Sequence, residues 1–316
     1  MTTNFSAADR PNDRLNDLTD RRSNDRSDLR SGDAYLASRP LVPEAPLAQP
    51  NSAALPVTFQ FKESLLVIGR GRLAQALIRW PKSPHTEMRC WHRSLSLDEL
   101  DRAIDGASHV LLAIRDDTLE SFVAEHAARL QNKTVLHFAG SRGDFTHHEV
   151  RCFVAHPLVS LSTPPPPAEL LQHVPFSISG VKDFSELLPG FPNSSFMLPD
   201  HERALYHALL SFGGNLGVWL WERMEREFTT QFQFAPHDEM RSHLMPYLES
   251  LFWAIRTRAV DASALTGPIS REDLGTITRQ SAALSSRTEL HGIFDLICHQ
   301  ALAERRLQTQ NQKDSI

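Results

Sequence analysis

Residues 64–79 have the sequence SLLVIGRGRLAQALIR, and this stretch decides the fold. A short apolar run is followed by a glycine-rich turn of the form G-x-G-x-x-A and then by an amphipathic helical pattern. Gly69 allows a tight turn, Gly71 lets the backbone approach a ligand closely, and the small Ala74 lets the helix pack against the strand. The stretch therefore predicts a first strand, a phosphate-binding turn and a first helix.

The pattern of residues 64–79 repeats along the next part of the chain. Short apolar runs alternate with helical stretches: SLLVIG with LAQALIRW, MRCWH with LDELDRAI, and HVLLAI with LESFVAEHAARL, followed by TVLHFAG and RCFVAHPL. Unbroken apolar strands separated by helices are typical of a parallel sheet covered on both faces. We predict a doubly wound α/β domain of the Rossmann type, with VPFSISG and SSFMLP completing its sheet.

The sequence after Pro199 is helical in character. Long helical patterns cover residues 201–228, 237–260, 272–284 and 288–307, and Asp200 is a plausible N-cap for the first. The first residues of the chain are polar and then proline-rich, which is typical of disorder. We predict four segments: a disordered N-terminal tail (1–58), a dinucleotide-binding domain (59–198), a helical substrate and dimerisation domain (199–309) and a disordered C-terminal tail (310–316).

Composition excludes several classes of protein. The 316 residues are 41% hydrophobic and carry a formal net charge of −5, which gives no general attraction for nucleic acid or anionic membranes. No apolar run approaches the roughly 20 residues that span a bilayer. Three scattered cysteines suit a reducing compartment, and His147, His148, Cys152 and His156 lack the spacing of a metal site. We expect a cytoplasmic protein without a metal.

The second strand ends in Trp91-His92-Arg93-Ser94, with no acidic residue. An acid there would accept the ribose hydroxyls of NAD, whereas a basic residue pairs with the additional phosphate of NADP. This pattern favours NADP(H), with Arg93 as the principal contact. The expected cofactor-binding residues are Gly69, Arg70, Gly71, Arg72, Leu73, Ala74, Arg93 and Ser94, together with Ile114, Arg115, His137 and Gly140 at later strand ends. For Asp117 we favour a helix-capping role.

Six segments resemble one known family. They are GRGRLAQAL, LLAIRDDTL, VLHFAGSRG, AHPLVSL, LYHALLSFGGNLGVWL and LTGPISREDLGTI, in the family's order across residues 63–300. The chain thus resembles Rossmann-like proteins with a C-terminal domain of unknown function, relatives of pyrroline-5-carboxylate reductase, β-hydroxyacid dehydrogenases and alternative-type ketopantoate reductase. The resemblance implies a helical domain of the 6-phosphogluconate dehydrogenase C-terminal type, NADPH-dependent reduction of a small 2-oxo acid, and a homodimer formed by the helical domain.

The chain departs from the family pattern at three places. Arg115 replaces a usual proline, Ala139-Gly140 replaces a Ser-Gly pair, and Glu272 replaces the glycine of an Arg-Gly-Asp motif. The last change predicts an altered backbone, because glycine adopts positive φ far more readily than glutamate.

Reduction of a carbonyl needs a hydride and a proton. Relatives often use a helix lysine for the proton, but this helical domain contains none. The catalytic candidates are Asn215 and His207, which are eight residues apart and predicted to share a helix face, and Arg271 and Asp273. Asn215 would hold the substrate, Arg271 its carboxylate, and His207 or water would supply the proton. Each residue also has a purely structural interpretation.

Two functional hypotheses remain. The first is an NADP(H)-dependent oxidoreductase that reduces a small 2-oxo acid, similar to ketopantoate, or an imine. The second is a catalytically silent dinucleotide-binding protein with a regulatory or scaffold role. For the stripe Leu216, Trp219, Leu220, Leu251, Phe252 and Ile255 we expect a place in the core, and for Trp221 or Phe228 a place in the dimer interface.

Overall fold

The computed structural model describes residues 63–180, 183–232, 237–259 and 263–314. The predicted N-terminal tail, residues 1–58, lies outside the described residues. The sheet strands are β1 (Ser64–Ile68), β2 (Glu87–Trp91), β3 (His109–Leu112), β4 (Thr134–His137), β5 (Phe145–His147), β6 (Val150–Pro157), β7 (Phe176–Ile178) and β8 (Ser195–Met197). Their order in one sheet is β2-β1-β3-β4-β6-β7-β8, with β5 paired to β6.

The first five strands along that order are parallel. The helices between them are α1 (Arg72–Arg79), α2 (Leu97–Asp105) and α3 (Leu119–Leu130). Chain order reverses direction between β1 and β3, and such a switch point opens a crevice beyond the carboxyl ends of the strands. The prediction of a doubly wound parallel sheet is confirmed.

Alternate residues of β1 enter two different hydrophobic cores. Leu65 and Val67 pack with α1, whereas Leu66 and Ile68 pack with α2 and α3. Because successive strand side chains point to opposite faces, a strand buried on both sides must be apolar throughout. This explains why the run of residues 64–68 contains no internal polar position.

The far edge of the sheet differs from its parallel centre. β7 pairs antiparallel with β6, and β8 pairs parallel with β7, so the two late strand-like runs do complete the sheet. The hairpin strand β5 was not predicted; it pairs antiparallel with the first half of β6. A short helix, α4 (Ala168–Leu171), precedes β7.

The chain is helical from Asp200 onwards. After a short 3-10 turn follow α5 (Arg203–Leu210), a π-helical turn at Ser211–Asn215, α6 (Leu216–Phe232), α7 (His237–Thr257), α8 (Gly267–Ser270), α9 (Leu274–Leu284) and α10 (Thr288–Asp314). The helix predicted over 201–228 is therefore interrupted by the π turn. α10 also includes residues 310–314, which we predicted to belong to a tail.

Asp200 does not cap this region as expected. It lies inside the 3-10 turn, and its Oδ1 is 3.6 Å from Nε of the fully buried Arg203. Arg203 also donates from Nη1 to the Ser177 hydroxyl of β7 at 3.3 Å. A buried guanidinium thus ties the start of α5 to the sheet.

The helical half buries few side chains of its own. Among its described residues only Arg203, Glu225, Met240, Leu244 and Cys298 are buried. The prediction that the stripe on α6 and α7 lies in the core is wrong for this single chain. All six of its side chains are exposed, and Phe252 is the most exposed of them at 62%. Clusters of exposed apolar side chains on a protein surface often belong to an interaction site. None of the described helices is long and apolar enough to cross a membrane.

Candidate active site

The turn between β1 and α1 is built from small residues, each for a different reason. Gly69 has a φ of 135°, and a Cβ there would lie 2.3 Å from the carbonyl oxygen of Ala113. Gly71 precedes the first residue of α1, and a Cβ there would meet nothing within 4 Å, so this backbone faces open space. Ala74 is fully buried against the sheet. The start of α1 therefore presents free N–H groups to a space that an anion can enter.

A cavity of about 960 Å³ opens beyond the switch point of the sheet. That volume is at the upper end of the usual range for small-molecule and cofactor sites. The lining residues come from the β1–α1 turn, the ends of β1, β2 and β3, helices α2 and α3, the loop after β6 and the π turn: Ile68, Gly69, Arg70, Gly71, Arg72, Leu73, Trp91, His92, Arg93, Leu97, Ala113, Ile114, Arg115, Thr118, Ser121, Phe122, Glu125, His126, Val159, Ser160, Leu161 and Asn215. Eight of the predicted cofactor residues and Asn215 thus meet at one cavity.

Three arginines give one part of the cavity a positive charge. Arg70, Arg72 and Arg93 are exposed, and no contact among the described residues pairs their guanidinium groups. Arg115 is different, since its Nε lies 3.0 Å and its Nη2 2.6 Å from the carboxylate of Asp117. The Arg115 guanidinium lowers the pKa of that carboxyl. Asp117 is therefore a salt-bridge partner, and the predicted capping role is wrong.

Four other predicted cofactor residues do not line the cavity. Ala74 belongs to the core, and Ser94 stands beyond the lining residues of the β2 end. His137 is fully buried; its Nδ1 accepts the Ala139 N–H at 3.2 Å, and its Nε2 is 3.1 Å from the Gly143 carbonyl oxygen. His137 therefore shapes the loop after β4 instead of facing a ligand.

Gly140 forms a close contact between that loop and two imidazole rings. A Cβ at Gly140 would lie 2.4 Å from Cδ2 of His207 and 2.8 Å from Nε2 of His156. The edge of His207 meets the His156 ring with centroids 5.5 Å apart, and Nδ1 of His156 is 3.1 Å from the Tyr206 hydroxyl. Burial lowers the pKa of His156 to about 4, so its ring is neutral near pH 7. Sequence reasoning missed Tyr206.

The π turn changes which helical residue reaches the cavity. Asn215 is the last residue of that turn and lines the cavity, whereas His207 packs against Gly140 and is not a lining residue. A π turn holds more residues than an α turn, so the eight-residue spacing no longer brings both residues to one face. The prediction that His207 and Asn215 share the cleft is not met in this chain.

The LTGPISRED motif lies elsewhere in the fold. Asp273 caps α9, since its Oδ1 accepts the Thr276 N–H at 3.0 Å, and Arg271 is exposed; neither lines the cavity. Glu272 has a φ of 54°, so the left-handed backbone persists without glycine and the predicted change of shape is wrong. The Glu272 carboxylate lies 3.7 Å from Nε of Arg305 and 3.6 Å from Nε of Arg306.

Several lining residues were not predicted. Val159, Ser160 and Leu161 follow β6, and one face of α3 contributes Phe122 and His126, whose rings are 4.6 Å apart. The loop after β6 could have been found, because residues that follow parallel strands lie at the ligand-binding edge. The α3 face carries no comparable signal in the sequence. Among the described residues no group of three His, Cys, Asp or Glu side chains could hold a metal ion.

Comparison with known proteins supports the fold described above. Residues 178–301 match the domain of unknown function DUF2520. No curated protein sequence matches the chain. The similar solved structures include a protein assigned as an NADP oxidoreductase from Bacteroides fragilis, with 17% identity, a TM-score of 0.56 and coverage of 77% of this chain and 98% of that one.

Two further solved structures cover 77% of this chain. A Thermotoga maritima protein is 18% identical over 99% of its own length, with a TM-score of 0.54. A reductive aminase from Aspergillus terreus, in complex with NADPH and ethyl levulinate, is 15% identical over 95% of its length, with a TM-score of 0.50. At these identities the likeness shows a shared fold. The predicted Rossmann-type fold is confirmed, and so is a C-terminal domain of unknown function.

The buried histidines predict a pH dependence of stability. Burial lowers the pKa of both His137 and His156 to about 4, whereas an unfolded imidazole titrates near about 6.5. Between these pH values the unfolded state binds more protons than the folded state. The free energy of unfolding therefore has its full value above pH 6.5 and decreases as the pH falls towards 4. Each histidine contributes a slope of up to about 1.4 kcal/mol per pH unit.

Urea unfolding at pH 7, 6 and 5 measures this slope. His137→Gln should reduce it by removing one titrating group, whereas His85→Gln, at an exposed position, should leave it unchanged. A wild-type free energy of unfolding that stays constant between pH 6.5 and 5 would contradict the buried neutral state of these rings.

Proposed function

We propose that the protein is an NADP(H)-dependent oxidoreductase that reduces a small 2-oxo acid, similar to ketopantoate, or an imine. One observation carries this proposal: a cavity of about 960 Å³ has the β1–α1 turn on one side and Asn215 of the helical half on another. A cofactor held by the turn thus shares one cavity with a polar side chain that can contact a substrate. When bound, NADPH supplies the hydride.

The residues present fit NADP(H) better than NAD(H). The amides at the start of α1 face open space beside Gly71, as a diphosphate requires. Among the described residues, the only carboxylate that lines the cavity belongs to Glu125 on α3, so no lining acid at the end of β2 can accept the ribose hydroxyls. Arg93 stands in that place, exposed and unpaired among the described residues, with Arg70 and Arg72 across the turn. Guanidinium groups bind phosphate through charge-assisted hydrogen bonds.

Asn215 is the catalytic candidate that lines the cavity among the described residues. Asn215 would hold the substrate, and the His156–Tyr206 pair with His207 stands behind the loop after β4. Arg271 and Asp273 lie outside the cavity of their own chain. In our proposal they act on a substrate only if a second copy brings them there.

A homodimer is part of the proposal. The exposed apolar side chains of α5 to α7 and α10 include Leu205, Phe212, Phe252, Trp253 and Leu296, each more than 60% exposed. Helices gain most of their stability in proteins from burying an apolar face, and five buried side chains do not provide it here. A second copy of the chain presents the same apolar face and can cover it in a symmetric interface.

A cytoplasmic location suits the cysteines. Cys90, Cys152 and Cys298 are all free, as is usual in a reducing compartment.

The second functional hypothesis, a catalytically silent dinucleotide-binding protein, is favoured by a specific observation. Arg115, which could reach a substrate, is bound to Asp117, and none of the five lysines lies in the predicted helical domain. Such a protein would retain the nucleotide and lose turnover.

Turnover separates the two hypotheses. Incubation of NADPH and the protein with a panel of 2-oxo acids and cyclic imines should reduce the NADPH absorbance for at least one of them. Tight NADPH binding with no absorbance loss across the panel would contradict the oxidoreductase and support the silent binding protein.

Charge reversal at Arg93 tests the choice of cofactor. Arg93→Asp should weaken NADPH by about 10- to 100-fold and NADH far less, because only NADPH has the additional phosphate. Fluorescence titration of both nucleotides measures the two affinities. Arg79→Asp, an exposed change in the last turn of α1 away from the cavity, is the control and should bind like wild type. Equal weakening of NADPH and NADH would contradict the assignment of Arg93.

A substitution on the exposed helical face tests the dimer. Wild type should sediment as a species of twice 35.6 kDa, whereas Trp253→Asp should shift the equilibrium towards monomer because a carboxylate would be buried in the interface. Leu158→Asp, an exposed apolar position after β6, should remain dimeric. A monomeric wild type at micromolar concentration would contradict the homodimer.

A further inference from the structure

The cavity has two chemically different ends along the sheet. The positive residues lie at the turn after β1 and at the end of β2, whereas Val159, Ser160 and Leu161 follow β6. The order β2-β1-β3-β4-β6 separates the two outer strands by four spacings, which is roughly 19 Å at about 4.8 Å per strand. With its diphosphate at the β1 turn and its phosphate-bearing ribose at β2, a dinucleotide extends its other end towards β6.

The cavity lining includes two neutral hydrogen-bonding groups outside the turn, one of them just after β6. Ser160 and Asn215 are exposed and line the cavity, and no hydrogen bond among the described residues engages either side chain. They come from opposite parts of the chain, one from the loop after β6 and the other from the π turn. Two donors that the described residues leave unused thus line the same cavity, and Ser160 lies at the end towards which the reactive part of the cofactor extends.

The lining residues at the β6 end of the cavity are uncharged. The lining residues that follow β6 are Val159, Ser160 and Leu161, and the nearest lining arginine along the sheet, Arg115, is neutralised by Asp117. Neutral donors stabilise an oxygen that gains negative charge during the reaction, since they favour the transition state over the uncharged carbonyl.

We propose that the Ser160 hydroxyl is a catalytic residue that, together with the Asn215 amide, donates hydrogen bonds to the reacting carbonyl oxygen of the substrate. This inference rests on the proposed function. Bound NADPH would supply the hydride by breaking its C4–H bond and would be oxidised to NADP⁺, while the carbonyl carbon gains the C–H bond. The π electron pair of the carbonyl would move to oxygen, and water in the open cavity would provide the proton for the new O–H bond. Ser160 and Asn215 retain their own protons and stabilise the charge while it develops.

Sulfite provides a probe that does not depend on the unknown substrate. Its sulfur lone pair would form a bond to C4 of the nicotinamide ring of bound NADP⁺ and neutralise the ring charge. The charged sulfonate oxygens would then lie next to the carbon that exchanges the hydride. The adduct absorbs in the near ultraviolet, so sulfite affinity can be titrated on the full-length protein saturated with NADP⁺. The affinity for NADP⁺ itself is measured separately by calorimetry.

Ser160→Ala should weaken sulfite by about tenfold, as expected for one lost hydrogen bond to a charged group, with NADP⁺ affinity unchanged. Asn215→Ala should have a similar effect. Ser162→Ala is the matched control, because the Ser162 hydroxyl already donates to the Pro164 carbonyl oxygen at 2.7 Å and does not line the cavity. The control should bind sulfite like wild type.

The outcomes separate this inference from the proposed function. If NADP⁺ does not bind, the proposed function fails and this inference fails with it. If NADP⁺ binds but wild type takes up no sulfite, or Ser160→Ala takes it up as well as wild type, the role of Ser160 is overturned while the cofactor site stands.

Discussion

The site depends on one close approach between two backbones. The carbonyl oxygen of Ala113, just after β3, lies 2.3 Å from the position that a Cβ of residue 69 would take, and glycine permits this contact together with a φ of 135°. Because Gly69 permits it, the chain can turn directly from β1 into α1. The Gly69 N–H also continues the pairing between β1 and β2, since it donates to the Trp91 carbonyl oxygen at 2.8 Å. The anion-facing start of α1, the end of β2 and the end of β3 are thereby fixed around one cavity.

The parallel part of the fold could be predicted because its strands are buried on both faces. An uninterrupted apolar run such as residues 64–68 is best buried as a central strand. Gly69, Gly71 and Ala74 have the small side chains that a tight turn, an open backbone and close helix packing require. The position of the turn and of the arginines around it could therefore be predicted from short sequence motifs. β5 was missed because a three-residue strand with the sequence FTH carries no period that distinguishes it from a loop.

The substrate side could not be predicted in the same way. The position of Asn215 depends on a π turn, and a sequence read with a period of 3.6 residues gives the wrong face from that point onwards. The exposed stripe on α6 and α7 has the periodicity of a core. Apolar periodicity identifies an apolar face of a helix but does not show whether the same chain buries it. The backbone at Glu272 could not be predicted from the residue type either. Glutamate seldom adopts a positive φ, yet the surrounding structure holds Glu272 at a φ of 54°.

A crystal structure of the protein with NADP⁺ would show whether the β1–α1 turn holds the diphosphate. We expect the diphosphate within hydrogen-bond distance of the backbone amides at the start of α1, between Gly71 and Leu73, with the phosphorylated ribose beside Arg93. A diphosphate bound elsewhere, or a crystal that excludes the nucleotide while the turn stays open, would contradict it.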